Sequence, residues 1–363
     1  MKCEMDVKWQ EISKEIELLK PIFYEIENLK NKEISLFGAG RYGRVALTHL
    51  KKLGYKINCF IDNAPQKQGT KIDGIQVVPI NHPLIKSSEF ILTTIKGSNY
   101  KIDGISSMSF DAWYIVKNID KYERIRNNLL LDDKSQKTLD GILLSFLTND
   151  KSHCKSVMDF NQYFCIPEFR NTWNEHFVDV GAYVGDSIEK FIWVNDGVFK
   201  HIYAFEPGEK PFKALKKRTK RLIEEWALAP DTISLFHAGV SDVECYADIN
   251  EFQSNEPNVS LVINKIKDRK SKLKMHTLDN KLQNFPVTFI KADIEGMEMD
   301  MLKGAKQTIL NNKPKIALCV YHNINDLIDS IEFLQNIVPE YKMALRHHSP
   351  SLAETVLYCW TEK

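Results

Sequence analysis

Paired cysteines are missing from this chain of 363 residues: its seven (Cys3, Cys59, Cys154, Cys165, Cys245, Cys319 and Cys359) are scattered, odd in number and never spaced C-x-x-C. That argues against a disulfide framework and against a cysteine zinc site, and a reducing cytoplasm fits best. Net charge is nearly absent, formally +1, so the chain has no bulk attraction to nucleic acid or to an anionic membrane. No Asn-Pro-Pro-Tyr base-flipping motif occurs, which removes the usual sign of chemistry on nucleic-acid bases. No apolar run approaches the length of a membrane span, and the N-terminus, with Glu4, Asp6 and Glu11, lacks a signal-peptide pattern. What remains is 43% hydrophobic and 27% charged, the composition of an ordinary globular protein long enough for two or three domains.

The most informative stretch runs from Glu175 to Glu206. Phe177 to Val180 is a short apolar run carrying Asp179. It leads into Gly181-Ala182-Tyr183-Val184-Gly185-Asp186-Ser187 and then an amphipathic run, Ile188 to Val194. This is the pattern of a strand, a glycine turn and a helix start. About twenty residues on, His201 to Phe205 reads as a second strand, ending at Glu206-Pro207. Glycines let backbone approach a ligand, the helix start offers unpaired amides, and an acid at the next strand tip can accept both ribose hydroxyls. The order acid, Gly, three residues, Gly, acid departs from the G-x-G-x-x-G that seats a pyrophosphate. It suits a nucleoside bearing a carboxylate and an amine, which is S-adenosylmethionine. Asp179, Gly181, Tyr183, Gly185, Asp186 and Ser187 are expected around its methionine end, Glu206 on the ribose and Asp242 at the adenine edge.

A full G-x-G-x-x-G occurs earlier, in Gly38-Ala39-Gly40-Arg41-Tyr42-Gly43, after the strand pattern Glu33 to Phe37 and before the helical run Val45 to Leu53. The strand Ile57 to Ile61 then ends at Asp62. Gly38, Gly40, Arg41, Tyr42, Gly43 and Asp62 are therefore expected to hold a dinucleotide or nucleoside diphosphate. The same glycines could instead serve turn geometry alone.

Ahead of this unit, Ile12, Ile16, Leu19, Phe23, Ile26 and Leu29 recur at helical spacing, with Pro21 expected to break the run. One or two leading helices over 1–30 would pack on the neighbouring domain or make a homodimer contact. Further strands are expected at Gln76 to Ile80, Phe90 to Ile95 and Ala112 to Val116, closing a Rossmann-like nucleotide-binding domain over 31–118. Helical periodicity over Asp120 to Asp150 reads as a connector, 119–174, ending in an aromatic-rich stretch (Tyr163, Phe164, Phe169, Trp173) expected to build core rather than a lid. From 175 to 363 strands alternate with helices, including a helix Met297 to Leu310, before two closing strands, Lys342 to Arg346 and Thr355 to Trp360. The fold class is thus α/β: a mostly parallel C-terminal sheet with an antiparallel last strand, plus a smaller N-terminal α/β domain.

Five motifs carry a resemblance: FVDVGAYVGDS (177–187), YAFEP (203–207), HTLDN (276–280), IKADIEGMEMDMLKGA (290–305) and the closing LRHHSP with ETVLY. From about Leu129 onward the chain resembles the FkbM family of S-adenosylmethionine-dependent methyltransferases, the fourth motif being the most specific. The resemblance implies a class I methyltransferase sheet and O-methylation, usually of a sugar or polyketide hydroxyl. Val320 departs from it, since many relatives carry an acid two residues before the strand-end histidine. The N-terminal unit is similar to the Rossmann domain preceding some nucleotide-sugar acyltransferases, which implies a nucleotide-sugar acceptor.

A sugar hydroxyl needs a base within reach. His322 is the first choice because its ordinary pKa lies near neutrality, with Asp293 and Tyr321 beside it at strand tips. Asp293 could instead take the cofactor amine, and Glu295 is expected to hold the turn after it. A Mg²⁺ on Asp293, Glu295 and His322 is conceivable, but no metal is expected. His347-His348 is expected to be solvated. A basic run, Lys265 to Lys274, could meet acceptor phosphates through Lys270 and Lys272. Two other functions stay open: a nicotinamide-dependent oxidoreductase using the Gly38 turn, and a binding module without catalysis.

Overall fold

The computed structural model describes residues 2–29, 32–247, 265–266 and 273–362. The chain divides into two compact units, 1–128 with 132–158 and 349–352, and 129–131 with 159–348 and 353–363. The stretch expected as a connector is shared between them: most of 119–158 belongs to the first and 159–174 to the second.

The first unit opens with α1 (Lys2–Glu27), then β1 (Glu33–Phe37), α2 (Arg41–Lys52), β2 (Lys56–Ile61), β3 (Lys71–Ile72), β4 (Ile75–Val78), β5 (Phe90–Thr93) and β6 (Ser106–Ser109). Four helices come next: α3 (Phe110–Lys117), α4 (Ile119–Arg124), α5 (Asp133–Thr148) and α6 (Ser152–Ser156). The strands lie in the order β3-β4-β2-β1-β5-β6, with β1 parallel to both β2 and β5. Two expectations are corrected here. Pro21 does not break α1, which runs through it. The lost backbone bond is outweighed by burial of Ile12, Ile16 and Ile26, and Glu27 ties the helix end down by accepting from Tyr55, Trp113 and Lys117. Ala112 to Val116 is helix, not strand. Ser109 caps α3 by accepting the Ala112 N–H, and every residue from Phe110 to Val116 is buried. A helix buried on all sides has no polar face, so its sequence shows no period.

The second unit begins with β7 (His176–Val180), α7 (Asp186–Val194), β8 (His201–Phe205), α8 (Glu209–Glu225) and β9 (Ile233–Phe236). A small sheet is next, built from β10 (Gly239–Val240), β11 (Cys245–Ala247), β12 (Lys265–Ile266) and β13 (Leu273–His276). Then come α9 (Leu278–Lys281), β14 (Phe289–Ala292), α10 (Glu298–Gly304), α11 (Lys306–Asn312), β15 (Lys315–Cys319), α12 (Asp326–Ile337), β16 (Lys342–His347) and β17 (Thr355–Trp360). The main sheet has the order β16-β17-β15-β14-β7-β8-β9, and only β17 runs against its neighbours. Phe164, Phe169, Phe177, Phe191 and Phe289 fill its core, while Trp173 stays exposed.

Two further expectations change, and one falls outside the described residues. The helix from Met297 breaks at Ala305 (φ −109°, ψ 8°), just after Gly304, where a Cβ would lie 2.0 Å from the Ser241 carbonyl oxygen. His347 is buried and His348 half-buried, rather than solvated as expected. His347 is buried in β16 with Nδ1 2.9 Å from Thr355 Oγ1, and burial pushes the His348 imidazole down to about 4. Lys270 and Lys272 lie outside the described residues.

Candidate functional site

Chain connections leave β7 for β8 on one side and reach β14 on the other, so the strand order reverses at the β7/β14 boundary. Ligands bind at the carboxyl ends of strands at such a point. There, Val180 pairs with Ala292, so Gly181 and Asp293 emerge side by side. Gly181 has φ +79°, and a Cβ on it would sit 2.0 Å from the Asp293 carbonyl oxygen. Only glycine fits. The turn is tied to β8, whose Phe205 carbonyl accepts the N–H groups of Gly181 and Ala182, both at 3.0 Å. Tyr183, at φ +46°, donates its N–H to Glu206 Oε2 at 2.8 Å, and Gly208 donates to Glu206 Oε1 at 2.6 Å. Gly185, at φ +84°, starts α7.

A cavity of about 210 Å³ opens at this end of the sheet. Gly181, Tyr183, Asp186, Ser187 and Glu206 line one part, and Asp293 and Tyr321 another. Asp179, Gly185, Asp242 and His322, also expected at the site, are not in its wall, whereas Ala238 to Val240 are. Asp179 is fully buried and acts through others: it pairs with Lys291 Nζ at 3.0 Å and accepts from the Ser187 hydroxyl.

Charges at the site are set by burial. Desolvation pushes the Glu206 carboxyl up to about 7, against its two backbone donors and the Lys291 charge. Burial alone would lower the Lys291 pKa, but Asp179 and Asp293 outweigh it and raise it. The Lys291 ammonium also donates to the Gly181 carbonyl at 2.8 Å, pinning the turn. Asp293 accepts from the Tyr163 hydroxyl at 2.9 Å and the Tyr321 hydroxyl at 3.2 Å, and Tyr321 also reaches Glu354 at 3.3 Å. Burial raises the pKa of both tyrosines and of Glu354, so the phenols keep their protons and act as donors.

His322, expected as the general base, has a buried side chain and does not line the cavity. Its side chain is 4% exposed, with Nδ1 2.9 Å from Glu298 Oε1, and Nε2 3.4 Å from Asp293 and 3.7 Å from Glu295. Burial pulls its pKa down, but the three carboxylates outweigh that and raise it above the ordinary value. Sequence reading missed Tyr163, Lys291, Glu298 and Glu354 as site residues. Lys291 had a signal, since it stands two residues before Asp293 on a strand and shares its face. Tyr163 and Glu354 had none, because only folding brings them to Asp293.

The earlier turn is built likewise. Gly38 has φ +115°, and a Cβ there would meet Ile95 Cγ1 at 2.8 Å and the Thr94 carbonyl at 3.0 Å. At Gly43 a Cβ would lie 2.1 Å from the Gly38 oxygen, whereas Gly40 faces open space. Asp62 accepts from Ala39 N–H at 2.8 Å, Ala64 N–H at 2.9 Å and Lys67 Nζ at 3.0 Å. Burial works to raise its pKa, but these donors outweigh it and hold it below the usual carboxylate value. Tyr42 donates its hydroxyl to the buried Asp111, and Arg41 is half-buried.

The seven-stranded order and the cavity at its switch point define the class I methyltransferase fold. Residues 179–344 match the model of the methyltransferase FkbM domain. The chain thus carries an S-adenosylmethionine-dependent methyltransferase domain of the FkbM family. Among solved structures, it is similar to a methyltransferase FkbM from Methylobacillus flagellatus KT at 21% identity, covering 98% of this chain and 100% of that one, with a TM-score of 0.63. An rRNA methylase from Streptococcus thermophilus aligns at 13% identity over 52% of this chain and 89% of its own, TM-score 0.32. Aeropyrum pernix fibrillarin, solved with S-adenosyl-L-methionine, aligns at 10% identity over 53% and 70%, TM-score 0.34. No curated protein matches the sequence. Among the described residues no helix is long and apolar enough to cross a membrane.

Proposed function

We propose that this chain methylates a hydroxyl of a sugar or nucleotide-linked sugar in the cytoplasm, as a step in capsule or surface-glycan assembly. The observation that carries the methyl-transfer reading is the cavity itself, with the desolvated Glu206 on one wall and the Asp293, Tyr163 and Tyr321 cluster on another. S-adenosylmethionine, bound there, supplies a methyl group on a positively charged sulfur. Glu206, with one proton-poor form available near neutrality, accepts the ribose hydroxyls. Gly181 to Ser187 surround the methionine end, and Lys291 holds that turn in place through Asp179 and the Gly181 carbonyl. Asp293, fixed by two phenols, orients the incoming hydroxyl or the cofactor amine. Such transfer needs the oxygen, methyl carbon and sulfur in line, so rigid positioning supplies much of the rate.

For the first unit we propose a nucleotide at Gly38 to Gly43, seated on the open space over Gly40. A nicotinamide reading is weaker, because Asp62 is already engaged by two amides and Lys67.

Calorimetric titration with S-adenosylhomocysteine, then with CDP-, GDP- and UDP-sugars, tests both. The expected result is adduct binding that weakens in Glu206→Ala and persists in Gly40→Ala, with nucleotide binding showing the reverse. No adduct binding by the wild type would defeat the cofactor assignment. Methyl transfer to carboxylates or amines but to no sugar hydroxyl, on an acceptor panel, would defeat the substrate class.

A further inference from the structure

Beside the cavity, four carboxylates crowd one imidazole. Asp293, Glu298 and His322 each place one potential ligand atom within 4.8 Å of the others. Glu295 stands 3.7 Å from His322 Nε2, and Asp326 is buried close enough to Glu298 to feel its charge. Lys291 also sits near Asp293 but is held by Asp179 and the Gly181 carbonyl.

Three observations set this cluster apart from an ordinary acidic patch. Glu298 is 1% exposed, and only its Oε1 is used: it accepts the Ile294 N–H at 3.0 Å and faces His322 Nδ1. Its Oε2 is buried with no hydrogen-bond partner among the described residues. Neither ring nitrogen of His322 makes a well-aligned hydrogen bond there, despite contacts of 2.9 and 3.4 Å. Buried polar atoms rarely stay unpaired unless something is absent. Lastly, Glu295 adopts φ +56°, a left-handed conformation that costs a non-glycine residue energy and recurs at functional sites.

We propose that Asp293, Glu298 and His322 bind one hard divalent cation, Mg²⁺ or Mn²⁺, at the Asp293 and Glu295 wall of the cavity. Ligand atoms within 4.8 Å of one another suit a cation with bonds of about 2.1 Å. Two carboxylates and one imidazole, with no thiolate, favour these ions over softer metals. This departs from the expectation of no metal, which had no geometry to work from, and it uses Glu298 where Glu295 had been considered. Glu295 and Asp293 line the cavity, so a cation there has an open side toward a substrate oxygen. That last role rests on the methyl-transfer reading; the cation site does not.

The test is a Mn²⁺ titration followed by electron paramagnetic resonance, with no cofactor or acceptor added, on wild type, Glu298→Gln and His322→Gln, each with a thermal melt. Wild type should take up one Mn²⁺ per chain, displaced by Mg²⁺, and each folded variant should bind at least tenfold more weakly. As a measurement needing no variant, Mn²⁺ should broaden the His322 ring resonances of the wild type at substoichiometric amounts. No stoichiometric uptake, equal affinity in folded variants, or unbroadened His322 resonances would overturn the site. Adduct calorimetry on the same metal-free preparation keeps failure of the cation site distinct from failure of the methyltransferase reading.

Discussion

The molecule contains the same local device twice. After β1 and after β7, a glycine with positive φ meets the backbone beyond the neighbouring strand, Thr94 in one case and Asp293 in the other. In both, an acid ending the next strand accepts one N–H from the turn and another from two residues ahead: Ala39 and Ala64 for Asp62, Tyr183 and Gly208 for Glu206. What differs is burial. Asp62 is half-buried, and the Ala64 and Ala39 amides together with Lys67 hold it below the usual carboxylate value, while Glu206 is buried and raised to about 7. Shared turn geometry therefore says little about function. The second acid is held by desolvation in a state that a ligand's hydroxyls can improve, and the first is already satisfied.

The largest expected effect is that of Gly181→Ala. A Cβ 2.0 Å from the Asp293 oxygen, at φ +79°, must displace the turn, so adduct affinity should fall at least a hundredfold and the melting temperature should drop. Gly40→Ala is the counterpart in open space and should melt with the wild type; a large loss of stability there would break the parallel. Next in size, Asp62→Ala should cost stability, about 2 kcal/mol for two orphaned amides and an unpaired lysine. Glu206→Ala should cost adduct affinity more than tenfold and little stability. Chemical denaturation with calorimetry separates the two, and an exchange of these outcomes would refute the contrast.

A smaller effect is pH dependence of binding. With Glu206 near 7 and the hydroxyls favouring its charged form, adduct affinity should rise by about tenfold between pH 6 and pH 8, with proton release. A flat profile would remove the desolvation argument. Stability also depends on pH, with opposite signs for the two acids. The Glu206 pKa is raised, so its contribution is complete below about 4.5 and is lost as pH rises toward 7. Asp62 is depressed, so its contribution is present above its unfolded value and is lost as pH falls through the folded one. Melting curves of the two alanine variants against pH should cross accordingly.

Much of this was legible in one dimension. Glycine spacing, apolar runs of strand length and acids at their ends announced both turns, because the glycine, the helix start and the acid that accepts its amide lie within about twenty-five residues of one another in each. The misreadings share a cause. Ala112 to Val116 looked like strand, since complete burial erases the helical period, and Pro21 looked like a break, since the packing that outweighs it is distant.

By itself, then, the sequence determined the class of fold, the cofactor and the two turns, because backbone geometry at a glycine and the alternation of a strand are local properties. Tertiary structure decided which acid is ionised, that Asp179 works through Lys291, and that Tyr163, Tyr321 and Glu354 converge on Asp293 from segments up to 191 residues apart (163 to 354). Charge state and convergence depend on burial and long-range contact, and both exist only once the chain is packed.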